Sequence, residues 1–207
     1  MVRDGFNYAL GMLLVAAVLW WLAGPAWAVI PFVVALFFLW FFRDPERTIP
    51  TGLGLIVSPA DGKVTEISAI EFNGKPCTRV SIFLSVFDVH VNRSPAGGVI
   101  KNVVYKRGRF SNAMGAASAE DNEQNIVTLE AEGMTLMFKQ IAGLLARRIV
   151  FNHQPGDTVS RGQRIGMIKF GSRTDVIFPG QAELNVVAGD RVKGGSTVLA
   201  RMRVDEP

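Results

Sequence analysis

Ser196 follows Gly194 and Gly195 near the end of this 207-residue chain. The hydroxyl of a serine placed directly after a glycine turn can attack the preceding peptide carbonyl, provided that a base removes its proton and the carbonyl is polarised. The chain has only two imidazoles to act as that base, His90 and His153. His90 follows an apolar predicted strand, whereas His153 lies in a polar turn typical of an exposed histidine. His90 is therefore the candidate base.

A ten-residue pattern that occurs twice, 33 positions apart, predicts how Ser196 is presented. The copies are 156–165, GDTVSRGQRI, and 189–198, GDRVKGGSTV. Each predicts a turn, a short strand, a glycine turn and a second strand, because Asp bonds back to nearby backbone N–H groups and Gly accepts a positive φ. Biotinyl- and lipoyl-type domains use such arches, so both copies could be scaffold alone. Only the second copy, however, has a hydroxyl after its turn glycine, where Ser196 replaces Gln163.

From Arg43 onward, short β-type runs alternate with Gly, Pro, Asn and Asp, which predicts a mainly β domain with barrel- or sandwich-like packing. The segment Ile141–Val150 fits either a short helix or a continuing strand. The other predicted strands are Leu55–Val57, Gly62–Ile70, Thr78–Leu84, Gly98–Tyr105, Asn125–Glu130, Thr135–Gln140, Arg164–Lys169, Asp175–Phe178, Glu183–Val187 and Thr197–Arg201.

The N-terminal region has no charged residue from Tyr8 to Phe42, and Gly24-Pro25 divides this apolar stretch into two segments. Each segment, Tyr8–Ala23 and Ala26–Phe42, is short for the ~30 Å hydrocarbon core of a bilayer. We therefore predict an apolar helical hairpin, spanning or re-entrant, that anchors residues 1–42 in a membrane, followed by a β-rich catalytic domain over 43–207.

Arginines flank this predicted anchor, with Arg3 before it and Arg43 and Arg47 after it. The positive-inside rule then puts both ends, and the domain that follows, on the cytoplasmic side of the cell membrane. Arg43 and Arg47 could also contact lipid phosphates. The competing interpretation is a secretory signal, because Ala26-Trp27-Ala28 has the small-x-small pattern of a cleavage site.

Composition excludes several classes of protein. A hydrophobic fraction of 49% argues against disorder, and one cysteine cannot form an intramolecular disulfide. Two histidines and one cysteine offer no plausible zinc set, so no metal is expected. The net charge of +4 suits an anionic membrane surface, and it is too small and scattered to indicate nucleic acid.

Five segments, in this order along the chain, resemble the phosphatidylserine decarboxylase family, in particular its short bacterial members. They are FFRDPER at 41–47, SPADGKV at 58–64, FLSVFDVHVNR at 83–93, FGS at 170–172 and GGST at 194–197. The resemblance implies a proenzyme that cuts itself between Gly195 and Ser196. The Ser196 hydroxyl would convert the amide to an ester, and β-elimination would leave dehydroalanine, which hydrolyses to a pyruvoyl group.

In this scheme the long chain 1–195, with its β-rich part 43–195, stays paired as a heterodimer with the short pyruvoyl chain 196–207. The pyruvate derived from Ser196 would be the only cofactor. It would form a Schiff base with the substrate amine and serve as an electron sink while phosphatidylserine loses carbon dioxide to give phosphatidylethanolamine. A phospholipid substrate also explains a membrane anchor.

The resemblance also implies roles for other side chains. Asp61 is the family's candidate for the acid that orients His90. Many members carry His-x-x-His where this chain has His90-x-x-Arg93, so either His90 serves both self-cleavage and decarboxylation or another group takes one role. Arg93 and Ser172 are candidates for substrate binding.

Two other functions fit parts of the sequence. A membrane-anchored serine hydrolase would use Ser196, His90 and Asp61 without self-cleavage, although the chain lacks the Gly-x-Ser-x-Gly elbow. A biotinyl/lipoyl-like binding module would explain the repeated arch, although no lysine flanked by methionine is present at a hairpin tip. Only the proenzyme predicts a fragment that ends at Gly195.

Overall fold

The computed structural model describes residues 3–111, 118–131, 133–144, 148–169 and 172–202. The chain forms two compact units, residues 1–46 and 47–207. The first contains helices α1 (Arg3–Ala23) and α2 (Pro25–Phe41), and the second is mainly β, as predicted.

The helices of the first unit form a hairpin that turns at Gly24, whose φ is +94°. Helix α1 begins five residues before the predicted segment, so its 21 residues extend for about 31 Å. It is the one helix of the described residues that is long and apolar enough to cross a bilayer, because the 17-residue α2 is shorter. A single helix of this kind indicates membrane association only weakly.

Small residues line the contact between α1 and α2, while large apolar residues face outward. Ala9 and Ala16 are buried on α1, and Ala28 and Ala35 on α2. The ring of Tyr8 is tilted against that of Phe38, with 5.5 Å between the ring centroids. The outward side chains include Leu, Val, Ile, Phe and Trp, and Trp21 alone is 83% exposed. A soluble core helix buries such residues, so this surface suits a lipid environment.

The described residues of the second unit form fourteen strands and one short helix, α3 (Ser118–Asp121). The strands are β1 (Leu55–Val57), β2 (Gly62–Phe72), β3 (Lys75–Leu84), β4 (Val91–Arg93), β5 (Gly98–Lys106), β6 (Gln124–Ala131), β7 (Met134–Ile141), β8 (Arg148–Phe151), β9 (Thr158–Val159), β10 (Arg164–Lys169), β11 (Ser172–Pro179), β12 (Glu183–Leu184), β13 (Arg191–Val192) and β14 (Val198–Arg201).

Eight of these strands form one curled sheet in the order β13-β2-β3-β11-β7-β6-β5-β9, and two three-stranded sheets, β1-β14-β12 and β4-β10-β8, complete the domain. Neighbouring strands in these three sheets pair antiparallel, as in β3 with β11, where Ser81 lies opposite Asp175. Alternate residues of the large sheet point into a shared apolar core that includes Ile82, Val127, Phe138 and Val176.

Both copies of the repeated pattern form the predicted arches. In the first, β9 is followed by a turn at Gly162 and then β10; in the second, β13 is followed by a turn at Gly195 and then β14. The ambiguous segment Ile141–Val150 contains the end of β7 and the start of β8, and residues 142–144 are irregular, so its described part contains no helix.

A second repeat, Ser-Pro-Ala-Asp-Gly at 58–62 and Ser-Pro-Ala-Gly-Gly at 94–98, accompanies the arches. The two copies contact each other reciprocally: the Val57 N–H donates to the Pro95 carbonyl and the Arg93 N–H to the Pro59 carbonyl, each over 2.8 Å. The serine carbonyl of each copy also accepts the N–H of the turn glycine of one arch, Gly195 at Ser58 and Gly162 at Ser94. The two Ser-Pro-Ala segments and their arches are therefore related by a local pseudo-two-fold.

Candidate active site

Ser196 lies in the second arch, on the turn between β13 and β14. The Gly195 N–H donates to the Ser58 carbonyl over 2.8 Å, and the Ser196 N–H donates to the Lys193 carbonyl over 3.1 Å. Gly195 is buried and Ser196 is half-buried. The peptide between them is thus held in a defined turn, with the serine partly accessible.

Glycine is required at position 195 for two reasons. Its φ is +78°, in the left-handed region that side chains disfavour. A Cβ at this position would also lie 2.9 Å from Cδ of Arg93 and 3.1 Å from Cδ1 of Ile49. The peptide carbonyl before Ser196 therefore belongs to a tightly enclosed backbone.

Asp61 contacts this turn directly. Its Oδ1 accepts the Gly194 N–H over 2.8 Å, and its Oδ2 accepts Nη2 of Arg47 over 2.7 Å. The two side chains are largely shielded, with 16% of Asp61 and 11% of Arg47 exposed. Asp61 therefore reaches the backbone one residue before the Gly195 carbonyl, and Arg47 neutralises its charge there.

Arg47 has a contact at this turn that the sequence analysis does not predict, because its guanidinium is bonded to Asp61. The sequence signal that could have suggested a site role is the segment FFRDPER, which carries part of the family resemblance. The roles of Arg47 in membrane topology and lipid contact stay predictions.

His90 lies between β3 and β4 and is completely buried. Its Nδ1 is 2.9 Å from the Asp88 carbonyl oxygen, and since a carbonyl only accepts, the neutral ring carries its proton on Nδ1 and its lone pair on Nε2. The Asp88 side chain in turn accepts Nη1 of Arg191 over 3.1 Å. Because Arg191 belongs to β13, the loop that holds His90 is tied to the strand leading into Gly194.

Arg93, on β4, brings the two arches together. It is buried, its Nη1 donates to the Gly162 carbonyl over 3.0 Å, and its Cδ lies against Gly195. Gly162 occupies in the first arch the position that Gly195 occupies in the second, and its Cα lies 3.5 Å from the Cβ position of Gly195. The side chain therefore spans two equivalent turns.

Two further sequence predictions concern residues away from this turn. Ser172 begins β11, is fully buried, and its Oγ has no hydrogen-bond partner among the described residues; the preceding 170 and 171 of its motif lie outside them. His153 is not an exposed loop residue, since only 18% of its side chain is exposed and Nδ1 is 3.2 Å from Oδ2 of Asp157. That carboxylate belongs to the first arch, which explains the partial burial of His153.

Comparison with known proteins identifies the family. Residues 34–200 match the family described as phosphatidylserine decarboxylase. A phosphatidylserine decarboxylase proenzyme of Solibacter usitatus (strain Ellin6076) is 54% identical over 200 residues, which cover 97% of this chain and 96% of the relative. Proteins with the same description are 41% identical over 204 residues in Nitrosomonas eutropha (97% and 94% of the two chains) and 44% over 208 residues in Solidesulfovibrio magneticus (97% and 95%). The chain belongs to the phosphatidylserine decarboxylase family.

Proposed function

We propose that this protein is a membrane-associated proenzyme that cuts itself at Gly195-Ser196 and then decarboxylates phosphatidylserine to phosphatidylethanolamine with the resulting pyruvoyl group. The observation that carries the proposal is the peptide before Ser196. It follows a positive-φ glycine, lies in a turn whose Gly194 N–H donates to the carboxylate of Asp61, and belongs to a chain of this family.

The proposed cleavage begins with the Ser196 oxygen. Its proton is transferred to a base, the oxygen attacks the Gly195 carbonyl carbon, and the peptide nitrogen leaves as an amine to give an ester. Loss of the Cα proton of Ser196 then breaks the Cβ–Oγ bond, so that Gly195 departs as a carboxylate. The dehydroalanine that remains takes up water and releases ammonia, leaving a ketone at residue 196.

The surrounding side chains fit these steps. Asp61 accepts the Gly194 N–H and thereby helps to hold the turn that contains the Gly195 carbonyl. His90 is the proposed base, with Nδ1 fixed as a donor by the Asp88 carbonyl so that Nε2 carries the lone pair. We propose that the loop of Asp88, tied to Arg191, holds His90 at the turn, and that Asp61 assists by controlling the turn.

The short chain would remain bound after cleavage. It contains β14, the middle strand of a three-stranded sheet, which is paired with β1 on one side and β12 on the other. Leu199 and Ala200 are completely buried. These pairings and apolar contacts support a heterodimer of chains 1–195 and 196–207.

The pyruvoyl ketone supplies an electron sink for the bond that breaks as carbon dioxide leaves. The protein must bind the substrate carboxylate, exclude water and return a proton to the α-carbon, and His90 is the proposed proton donor. Arg93, whose stem contacts Gly195, and Ser172, whose buried Oγ has hydrogen-bonding capacity to offer, are the proposed substrate-binding residues.

The relatives' names indicate a phospholipid substrate, and the apolar N-terminal helices suit an enzyme that acts at a membrane. We propose that residues 1–42 are the anchor and 43–207 the catalytic domain, on the cytoplasmic side of the cell membrane. The arginines at 43 and 47, after the second helix, support this orientation through the positive-inside rule.

The test is the fate of purified wild-type protein and its Ser196→Ala variant. Mass spectrometry should find the wild type as two fragments, 1–195 and a 196–207 fragment with a blocked N-terminus, together with decarboxylase activity on phosphatidylserine. Ser196→Ala should stay a single inactive chain because it has no hydroxyl and cannot become a ketone. Two fragments from Ser196→Ala, or activity in an uncut wild type, would refute the mechanism.

A further inference from the structure

The proposed cleavage creates a charge inside the protein. Before it, Gly195 contributes a neutral peptide carbonyl; after it, the same residue ends the long chain as a carboxylate. Gly195 is buried, with its N–H held by the Ser58 carbonyl. A buried carboxylate is strongly destabilising unless a cation or several donors face it. The new carboxylate of Gly195 therefore requires a nearby cation to stabilise it.

Arg93 is the buried cation next to that position. Its Cδ contacts Gly195, and its guanidinium, which begins one bond beyond Cδ, donates Nη1 to the carbonyl of Gly162. Gly162 itself lies against Gly195, so the guanidinium is held next to the residue that becomes the carboxylate.

We infer that Arg93 is a catalytic residue for the elimination step, in which its guanidinium stabilises the Gly195 carboxylate as the Cβ–Oγ bond of Ser196 breaks. The inference rests on the proposed self-cleavage. The electron pair of the breaking bond goes to the departing carboxylate, and a planar guanidinium binds a carboxylate through two parallel hydrogen bonds. Arg93 acts on the leaving group, while Ser196 and the base act in the preceding acyl shift.

Because Arg93 acts in the elimination and not in the acyl shift, an Arg93→Gln chain can be distinguished from one that is unfolded or cannot form the ester. The acyl shift should still produce the ester, but the elimination should slow by about 10- to 100-fold, the range of one charge-assisted hydrogen bond. Hydroxylamine attacks esters much faster than amides. It should therefore cut the slow variant at residue 195, leaving a hydroxamate on Gly195 and a free serine N-terminus on the 196–207 fragment.

Arg161→Gln is the matched control. Arg161 is also an arginine whose Nη1 donates to a backbone carbonyl, that of Pro50, over 3.0 Å. This variant should mature like the wild type and gain nothing from hydroxylamine. Processing of Arg93→Gln at the wild-type rate would overturn the inference, as would an Arg93→Gln chain that stays intact with hydroxylamine, because the block would then precede the ester.

If Arg93→Gln is insoluble, Arg93→Lys provides the test of the inference. The lysine keeps the charge and most of the stem but loses the bidentate fork, so its maturation should be slower than that of wild type and accelerated by hydroxylamine. Maturation at the wild-type rate would overturn the inference. Failure of the underlying self-cleavage is recognised separately, since the wild-type chain itself would then remain uncut.

Discussion

Replacing Asp61 with asparagine tests how the cleavage turn is held. The carboxylate satisfies two donors at once, the Gly194 N–H on Oδ1 and Nη2 of Arg47 on Oδ2. An amide of the same shape has one acceptor oxygen and one NH₂ donor. In either orientation of the amide, one of the two donors then faces another donor.

The size of the effect follows from that lost bond. A hydrogen bond to a charged group contributes ~1.5–3 kcal/mol, and the partial exposure of Asp61 favours the lower half of this range. If the bond is needed in the reacting geometry, about 1.5–2 kcal/mol corresponds to a roughly 10- to 30-fold slower cleavage. Asp61→Ala removes both bonds and leaves Arg47 without its carboxylate, so it should slow cleavage by more than about 100-fold.

The assay is a time course of freshly synthesised proenzyme on a denaturing gel, with the fraction of cut chain fitted to a single rate. Asp157→Asn is the control, because Asp157 is a carboxylate of the first arch that accepts the Gln154 N–H over 3.0 Å. It should mature at the wild-type rate. Wild-type cleavage in Asp61→Asn, or equal slowing in both variants, would show that Asp61 has no specific role at the turn.

Three other predictions concern the histidines, the N-terminal helices and Tyr105. His90→Ala should accumulate uncut proenzyme, whereas His153→Ala should mature normally because His153 contacts Asp157 of the first arch. Normal processing of both variants would remove the assignment of the base. Deletion of residues 1–46 should leave self-cleavage intact and reduce activity on vesicles far more than on short-chain phosphatidylserine, while equal losses would mean that the helices shape the site. Burial and the neighbouring Glu123 carboxylate raise the pKa of Tyr105 to about 12, so its phenolate absorbance in a Tyr8→Phe variant should titrate near that pH rather than near 10. Since this folded-state pKa is above the unfolded value, the associated stability should be present below pH 10 and decrease towards pH 12.

Much of the fold could be predicted because its signals are local. Strands β1 and β10 match their predicted bounds, and most others are longer by one to three residues at their ends. The arches were predictable because Gly-Asp and a later glycine specify turns through backbone chemistry alone. The predicted strand Glu183–Val187 is shorter in the structure, where only Glu183–Leu184 pairs, with β14.

The site was less predictable because its contacts join distant parts of the chain. Nothing local indicates that Arg47 bonds to Asp61, 14 positions away, or that Arg93 reaches Gly162, 69 positions away. The strand β4, only three residues long, was also missed, although it carries Arg93. Its partner β10 sets its position, and that pairing is a property of the folded domain.

The first arch is a natural comparison for the second within the same molecule. Gly162 has a φ of +71° and donates its N–H to the Ser94 carbonyl over 2.8 Å, nearly as Gly195 does to Ser58. Its successor is Gln163, however, and the residue equivalent to Asp61 is Gly97, whose Cβ position lies 3.5 Å from the Arg161 nitrogen. The two arches thus share a backbone conformation and differ in the side chains available to react. A positive-φ glycine is consequently not enough to make a peptide break, and a hydroxyl together with a carboxylate is what distinguishes the arch proposed to break.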